Sequence, residues 1–106
     1  MQEHRLKLDA ILRQIVKDVY GQENVYYQPP TNLQMRYPCI CYERSRIQSI
    51  AADNRVYLQH VFYQLTVIDQ RPDSKITKAL MQLPKCRFDR AFKADNLYHD
   101  VITIYF

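Results

Sequence analysis

Three cysteines and three histidines are the residues best suited to chemistry, and their spacing does not bring them together. Cys39 and Cys41 stand two apart, Cys86 lies far downstream, and His4, His60 and His99 are scattered. A zinc site gathers four ligands, commonly through paired CxxC or HxxxH spacings on turns, and neither spacing occurs. An odd number of cysteines without a disulfide-framework spacing suits a reducing cytosol, so all three are expected as buried free thiols. A cysteine nucleophile and its histidine base meet only in space, but nothing here resembles a nucleophile turn or an oxyanion loop. His99 and Asp100 are adjacent, and neighbours in a strand point to opposite faces, which argues against an acid–base pair. The single glycine, where about seven per hundred residues is ordinary, leaves no Gly-rich loop to cradle a phosphate. No catalytic residue, metal or cofactor is expected, and the chain is not read as an enzyme.

Charge offers a second route to function. The formal net charge is +4, with 15 basic and 11 acidic side chains interspersed and no polybasic block, so nucleic acid stays open as a partner without being demanded. The segment KCRFDRAFK is the nearest approach to a nucleic-acid surface, with Lys85, Arg87, Arg90 and Lys93 around Phe88 and Phe92. An exposed strand with both phenylalanines inward and Arg87, Asp89 and Lys93 outward explains the same spacing, and that reading is adopted. Nine tyrosines and no tryptophan supply amphipathic side chains of the kind enriched at interface centres.

The elements that must position these residues are legible from periodicity. At 106 residues and 47% apolar content, one globular domain spanning 1–106 is expected. No apolar run reaches the ~18 residues of a membrane helix, and MQEHRLKLDA lacks the apolar core of a signal peptide, so a soluble, non-exported protein is expected. Between Arg5 and Tyr20, the residues Leu8, Ile11, Leu12, Ile15, Val16 and Val19 form one helical stripe, ended by Gly21. On its polar side Asp9 and Arg13, four apart and opposite in charge, form a pair worth only about 0.2–0.5 kcal/mol. Asn24–Gln28 reads as a short strand stopped by Pro29-Pro30. Tyr37–Ile50 alternates, placing Pro38, Ile40, Tyr42, Arg44 and Arg46 on one side, with its second half emerging into solvent.

The longest alternating run is VYLQHVFYQLTVID, Val56–Asp69, with Tyr57, Val61, Tyr63, Leu65 and Val67 on its apolar face. Its length predicts a central strand with partners on both sides. Ala52-Asp53-Asn54-Arg55 should fold it back on the preceding strand through a longer loop, since glycine is absent. A second, shorter helix begins after Asp73 or Ser74 as N-cap, with Ile76, Ala79, Leu80 and Leu83 inward and Pro84 as its stop. Cys86–Lys93, the Ala94-Asp95-Asn96 turn and Tyr98–Phe106 close the chain as a hairpin. The expected class is α+β, in the order α-β-β-β-α-β-β. It comprises an antiparallel sheet of about four to five strands with two helices packed on one face.

The segments YYQPP (Tyr26–Pro30), YPCICY (Tyr37–Tyr42), ADNRVY (Ala52–Tyr57), TVIDQRPDS (Thr66–Ser74) and LPKCRFDRAFKADNLYHDV (Leu83–Val101) cover most of the chain. Together they resemble the tail terminator, or tail completion, family encoded in the head-to-tail joining modules of phages and prophages with long, non-contractile tails. The resemblance implies a structural protein of the virion's head–tail joint, assembled in the cytoplasm of a bacterial host. It implies a homo-hexameric ring, formed from chains that can be monomeric beforehand. The ring caps the tail tube protein, stops its polymerisation and presents a surface to a head connector or stopper protein. Double-stranded DNA would pass through the lumen without sequence specificity, and no membrane is involved. Two other readings stay open: a head-completion or connector-type joining protein, and a small nucleic-acid-binding module.

A ring needs one heterologous contact whose rotation closes. From projected exposure and charge, the candidates for subunit or tube contact are Arg44, Arg46, Asp53, Asn54 and Arg55 at the first hairpin. Arg87, Asp89, Arg90, Asp95 and Asn96 are the candidates at the second.

Overall fold

The computed structural model describes the backbone of residues 2–52 and 55–106 and the side chains of 4–49 and 60–106. The first element, α1 (Gln2–Tyr20), starts three residues earlier than its stripe required. Leu8, Leu12 and Val16, four apart, are fully buried. Ile11, Ile15 and Val19 flank them half-buried, so the buried seam is narrower than the apolar stripe. Gly21 has φ +76° and donates its N–H to the Lys17 carbonyl at 2.7 Å, the left-handed cap that a β-carbon disfavours. Nothing lies within 4 Å of where that β-carbon would sit, so the demand on glycine is conformational and not steric.

Four further elements build the middle of the chain: β1 (Val25–Tyr27), β2 (Cys39–Ala52), β3 (Arg55–Asp69) and α2 (Lys75–Leu80). The last two strands are β4 (Cys86–Ala94) and β5 (Leu97–Tyr105). The strands form one sheet in the order β1-β2-β3-β5-β4, which places β3 centrally between β2 and β5, as its length predicted. Both helices lie on one face. Leu8, Leu12 and Val16 of α1 and Ile76 and Leu80 of α2 share a core with Ile40, Tyr42, Val61, Tyr63, Leu65, Val67, Ile102 and Ile104. The α+β class and element order are those read from the sequence.

The sheet is mixed where an antiparallel one was expected, because β1 runs parallel to β2 with Val25 opposite Ile40. The loop from Gln28 to Pro38, stiffened by Pro29-Pro30, carries the chain back to the end where β1 began, as a parallel neighbour requires. Asn24 O and Gln28 N bond toward β2 at 3.0 and 2.9 Å, so Val25 turns its carbonyl outward. That carbonyl accepts from the Arg13 guanidinium at 3.2 Å, which closes this edge of the sheet.

The expected longer loop between β2 and β3 is also corrected. The ladder continues to the Ala52–Arg55 pair, leaving a two-residue connection. Those two residues, Asp53 and Asn54, lie outside the described residues. In the second hairpin, Asp95 and Asn96 have φ of +53° and +63° between the paired Ala94 and Leu97, as a two-residue type I′ turn demands. Ser74 is the N-cap of α2, its Oγ accepting the Ile76 N–H at 3.3 Å. The regular helix ends at Leu80, and half-buried Leu83 still packs against the core before Pro84.

Two polar networks fix the helices to the sheet. At the end of β3, the buried Asp69 accepts from the Tyr20 hydroxyl at 2.8 Å, the Ser74 hydroxyl at 2.8 Å and the Arg71 N–H at 3.0 Å. On α1, Asp9 accepts from the Tyr42 hydroxyl and from Arg13 Nε, both at 2.5 Å, while Arg5 donates to the Tyr42 oxygen at 3.3 Å. The Asp9–Arg13 pair was expected from its four-residue spacing; its reach to β1 and β2 was not.

Burial, and then the bond to Asp9, raise the Tyr42 pKa, and burial with the bond to Asp69 raises that of Tyr20. A raised folded pKa contributes stability that is complete below the unfolded tyrosine value near 10 and is lost as pH rises beyond it. The urea midpoint is therefore expected to fall above about pH 10. Tyr42→Phe should make that fall shallower, as denaturation series at pH 9 and pH 11 will show.

Candidate interaction surfaces

Helices cover one face of the sheet; on the other, Cys39, Ile68 and Val101 are buried at the end where the 28–38 loop packs through Met35, and the rest is open. Among the cysteines, Cys39 is buried and Cys41 and Cys86 are half-buried, all as free thiols. Cys41 Sγ lies 3.0 Å from Met35 Sδ of the 28–38 loop, and bonding to Cys41 together with burial pushes the Cys39 thiol up. His99 stacks on Phe92 with centroids 4.6 Å apart, whereas Asp100 accepts from the Thr77 hydroxyl of α2 at 2.6 Å. The two neighbours thus face opposite sides, as expected. Among the described residues, no three His, Cys, Asp or Glu side chains converge as a metal site would require. No described helix is long and apolar enough to cross a membrane.

Two β-bulges redistribute the residues singled out by charge. In β2, Arg44 lies opposite Tyr63 but Arg46 lies opposite Phe62, so the extra residue, Ser45, moves Arg46 to the open face. Arg44 and Arg46 therefore do not share a side, contrary to simple alternation. In β4, Phe88 lies opposite Ile102 and Arg90 opposite Val101, with Asp89 as the extra residue. Phe88 consequently faces the helical layer, whereas Phe92, opposite His99, faces away from it. Neither is inward: they are 42% and 43% exposed, because β4 is an edge strand that overhangs the short α2.

The two hairpins end at opposite poles of the sheet. The β2–β3 tip comes after Ala52, whereas the β4–β5 tip at Asp95 and Asn96 lies beside the Asp69–Tyr98 pair, level with the body. Only the first hairpin projects. The ladder of β5 on β3 ends at Phe62, and Phe106 adds one bond from its N–H to the Val61 carbonyl at 3.0 Å, so among the described residues the ribbon from Arg55 to His60 with its β2 partners carries no third strand. At about 3.3 Å per residue, this arm reaches roughly 20 Å past the body.

Of the ten candidates, Arg44 and Arg46 stand exposed where the arm leaves the body. Arg55 pairs through its backbone with Ala52; its side chain lies outside the described set, as do Asp53 and Asn54. Arg87 and Asp89 form an ion pair at 3.3 Å, and the Thr103 hydroxyl also donates to Asp89. Arg90 lies over the Phe92 ring at 5.6 Å, and Asp95 and Asn96 are exposed in their turn.

What the sequence reading missed is a row across the open face. Arg46 lies over Phe62 at 4.2 Å, Phe62 and Tyr105 have centroids 5.7 Å apart, and Lys85 lies over Tyr105 at 4.8 Å. The four residues come from distant segments, and only strand register aligns them. The chain matches no protein-family model and no curated protein.

Proposed function

We propose that this chain is a structural joining protein that closes on itself as a ring, caps a phage tail tube at its final length and meets the head connector. The observation that carries this reading is the arm. A two-stranded ribbon is marginally stable in water unless something packs against it. Among the described residues the body meets this ribbon at its base, where His60 packs edge-on against Tyr105 of β5 at 5.3 Å, and the backbone beyond is left to lie on another molecule. Arm and body are different surfaces, so a contact between them is heterologous and its repetition generates a ring when the rotation closes.

The work is binding and not catalysis. Subunit contact falls to the arm with Arg44 and Arg55 at its two ends, and the pole with Asp95 and Asn96 is left for tube or connector. The family resemblance supplies the tail, the hexamer and the virion; the arm supports assembly.

The test is to replace residues 48–60 by Asn-Gly, joining the paired Ile47 and Val61 through a two-residue turn. The core lies below this cut, so the variant is expected to fold and to lose ring formation and tail capping. A folded variant that still caps tails at normal length would contradict the proposal.

A further inference from the structure

Lys85, Arg46 and Arg90 share the open face, and among the described residues none has a hydrogen-bonding or ionic side-chain partner. Arg87, the fourth cation there, is held by Asp89. Arg46, Lys85 and Arg87 line one groove with Phe62, Tyr105, Thr103 and Cys86; among the described residues no carboxylate lines it, and Asp89 sits behind it, bonded to Arg87 and Thr103. Across the strands, Arg46, Phe62, Tyr105 and Lys85 form a single row about 14 Å wide, with a cation at each end and rings between. Lys85, Arg87 and Arg90 then succeed one another along the edge strand.

The backbone supports the same reading. Lys85 adopts φ +69°, a left-handed conformation in which a long side chain is strained and asparagine or glycine is favoured. That conformation stands just before β4, where the Lys85 carbonyl accepts the Tyr105 N–H at 3.4 Å, and it sets the ammonium over the ring. An unfavourable backbone conformation held by an exposed lysine points to a use for its charge.

We infer that this open face is a binding site for the phosphate backbone of double-stranded DNA. Cations already occupy the ring faces of Phe62 and Tyr105, so bases are denied a stacking platform and contact is with phosphates, independent of sequence. The inference deepens the proposed role by assigning the face that meets DNA, and rests on that role only for where the DNA comes from. It transfers Arg46, Arg87 and Arg90 from subunit contact to DNA contact.

The experiment is fluorescence anisotropy of the full chain with a labelled 20-base-pair duplex across a salt series from 50 to 200 mM. With three unpaired cations engaged, the dissociation constant is expected in the range of about 10⁻⁴–10⁻⁶ M, with a log–log salt slope of about −3. Arg46→Gln with Lys85→Gln should weaken binding at least tenfold at low salt and reduce the slope by about 2. Lys75→Gln with Lys78→Gln removes the same charge from α2, on the covered side, and should leave the slope unchanged. Lys85→Asn should weaken binding while raising Tm, because the strain is relieved.

No duplex binding at 50 mM salt, or equal losses for the two double variants, would overturn the inference. So would a single-stranded oligothymidine bound over tenfold more tightly, which would return the rings to the bases. A polyglutamate of equal charge bound as tightly as the duplex would make this an acidic-protein docking surface and also overturn it. Because binding is read on the isolated chain and capping in phage lysates, either reading can fail while the other stands.

Discussion

Asp69→Ala is expected to destabilise the fold by about 3 kcal/mol, an effect set by three donors left without their acceptor. The carboxylate is 2% exposed and takes bonds from the end of α1, the β3–α2 connection and the α2 N-cap. A buried donor stripped of its partner costs about 1–3 kcal/mol, but Tyr20 is half-buried and Arg71 exposed, so water relieves part of the sum. For a domain of this size the loss corresponds to a fall in Tm of roughly 12–24 °C. Tyr20→Phe removes one donor instead of the shared acceptor and should cost about 1 kcal/mol. Equal losses for the two variants in urea denaturation would show that Asp69 does not organise the junction.

Leu65→Ala should cost about 2–5 kcal/mol by cavity formation. Leu65 is fully buried at the middle of the central strand, opposite Tyr42 on one side and Ile102 on the other. With neighbours on both flanking strands and a helical layer above, the site has little freedom to collapse. Ile47→Ala makes the contrast: that side chain is 39% exposed where the arm begins, and its loss should stay within about 0.5 kcal/mol. Unchanged urea m-values in both variants would mark the effects as native-state packing and not altered compactness.

Elements set by local period were readable and those set by register were not. The four-residue repeat of Leu8, Leu12 and Val16, the stop at Gly21 and the alternation of Val61, Tyr63, Leu65 and Val67 each arise from side-chain geometry within one element. The parallel pairing of β1 depends on where the 28–38 loop returns the chain, which no period encodes. Ser45 and Asp89 each insert one residue into a ladder and send the residues beyond them to the opposite face. A polar residue within an alternating run was the only available signal.

For the candidate surfaces, exposure and charge were legible at Arg44, Arg46, Arg87 and Arg90, but their grouping was not. The row from Arg46 through Phe62 and Tyr105 to Lys85 joins the middles of β2 and β3, the end of β5 and the residue just before β4. Along the chain Lys85 groups with the other cations of KCRFDRAFK and not with Tyr105. The Asp69 junction was hidden for the same reason, since Tyr20 stands far from it in sequence.

Electron microscopy of a lysate from a phage or prophage lacking this gene would show whether the protein ends tail growth. Overlong or length-variable tail tubes together with tailless heads are expected, because nothing would stop tube growth or prepare the tail for joining. Tails of normal length beside heads that have lost their DNA would place the protein on the head side of the joint and contradict the capping role. Wild-type particles would contradict both.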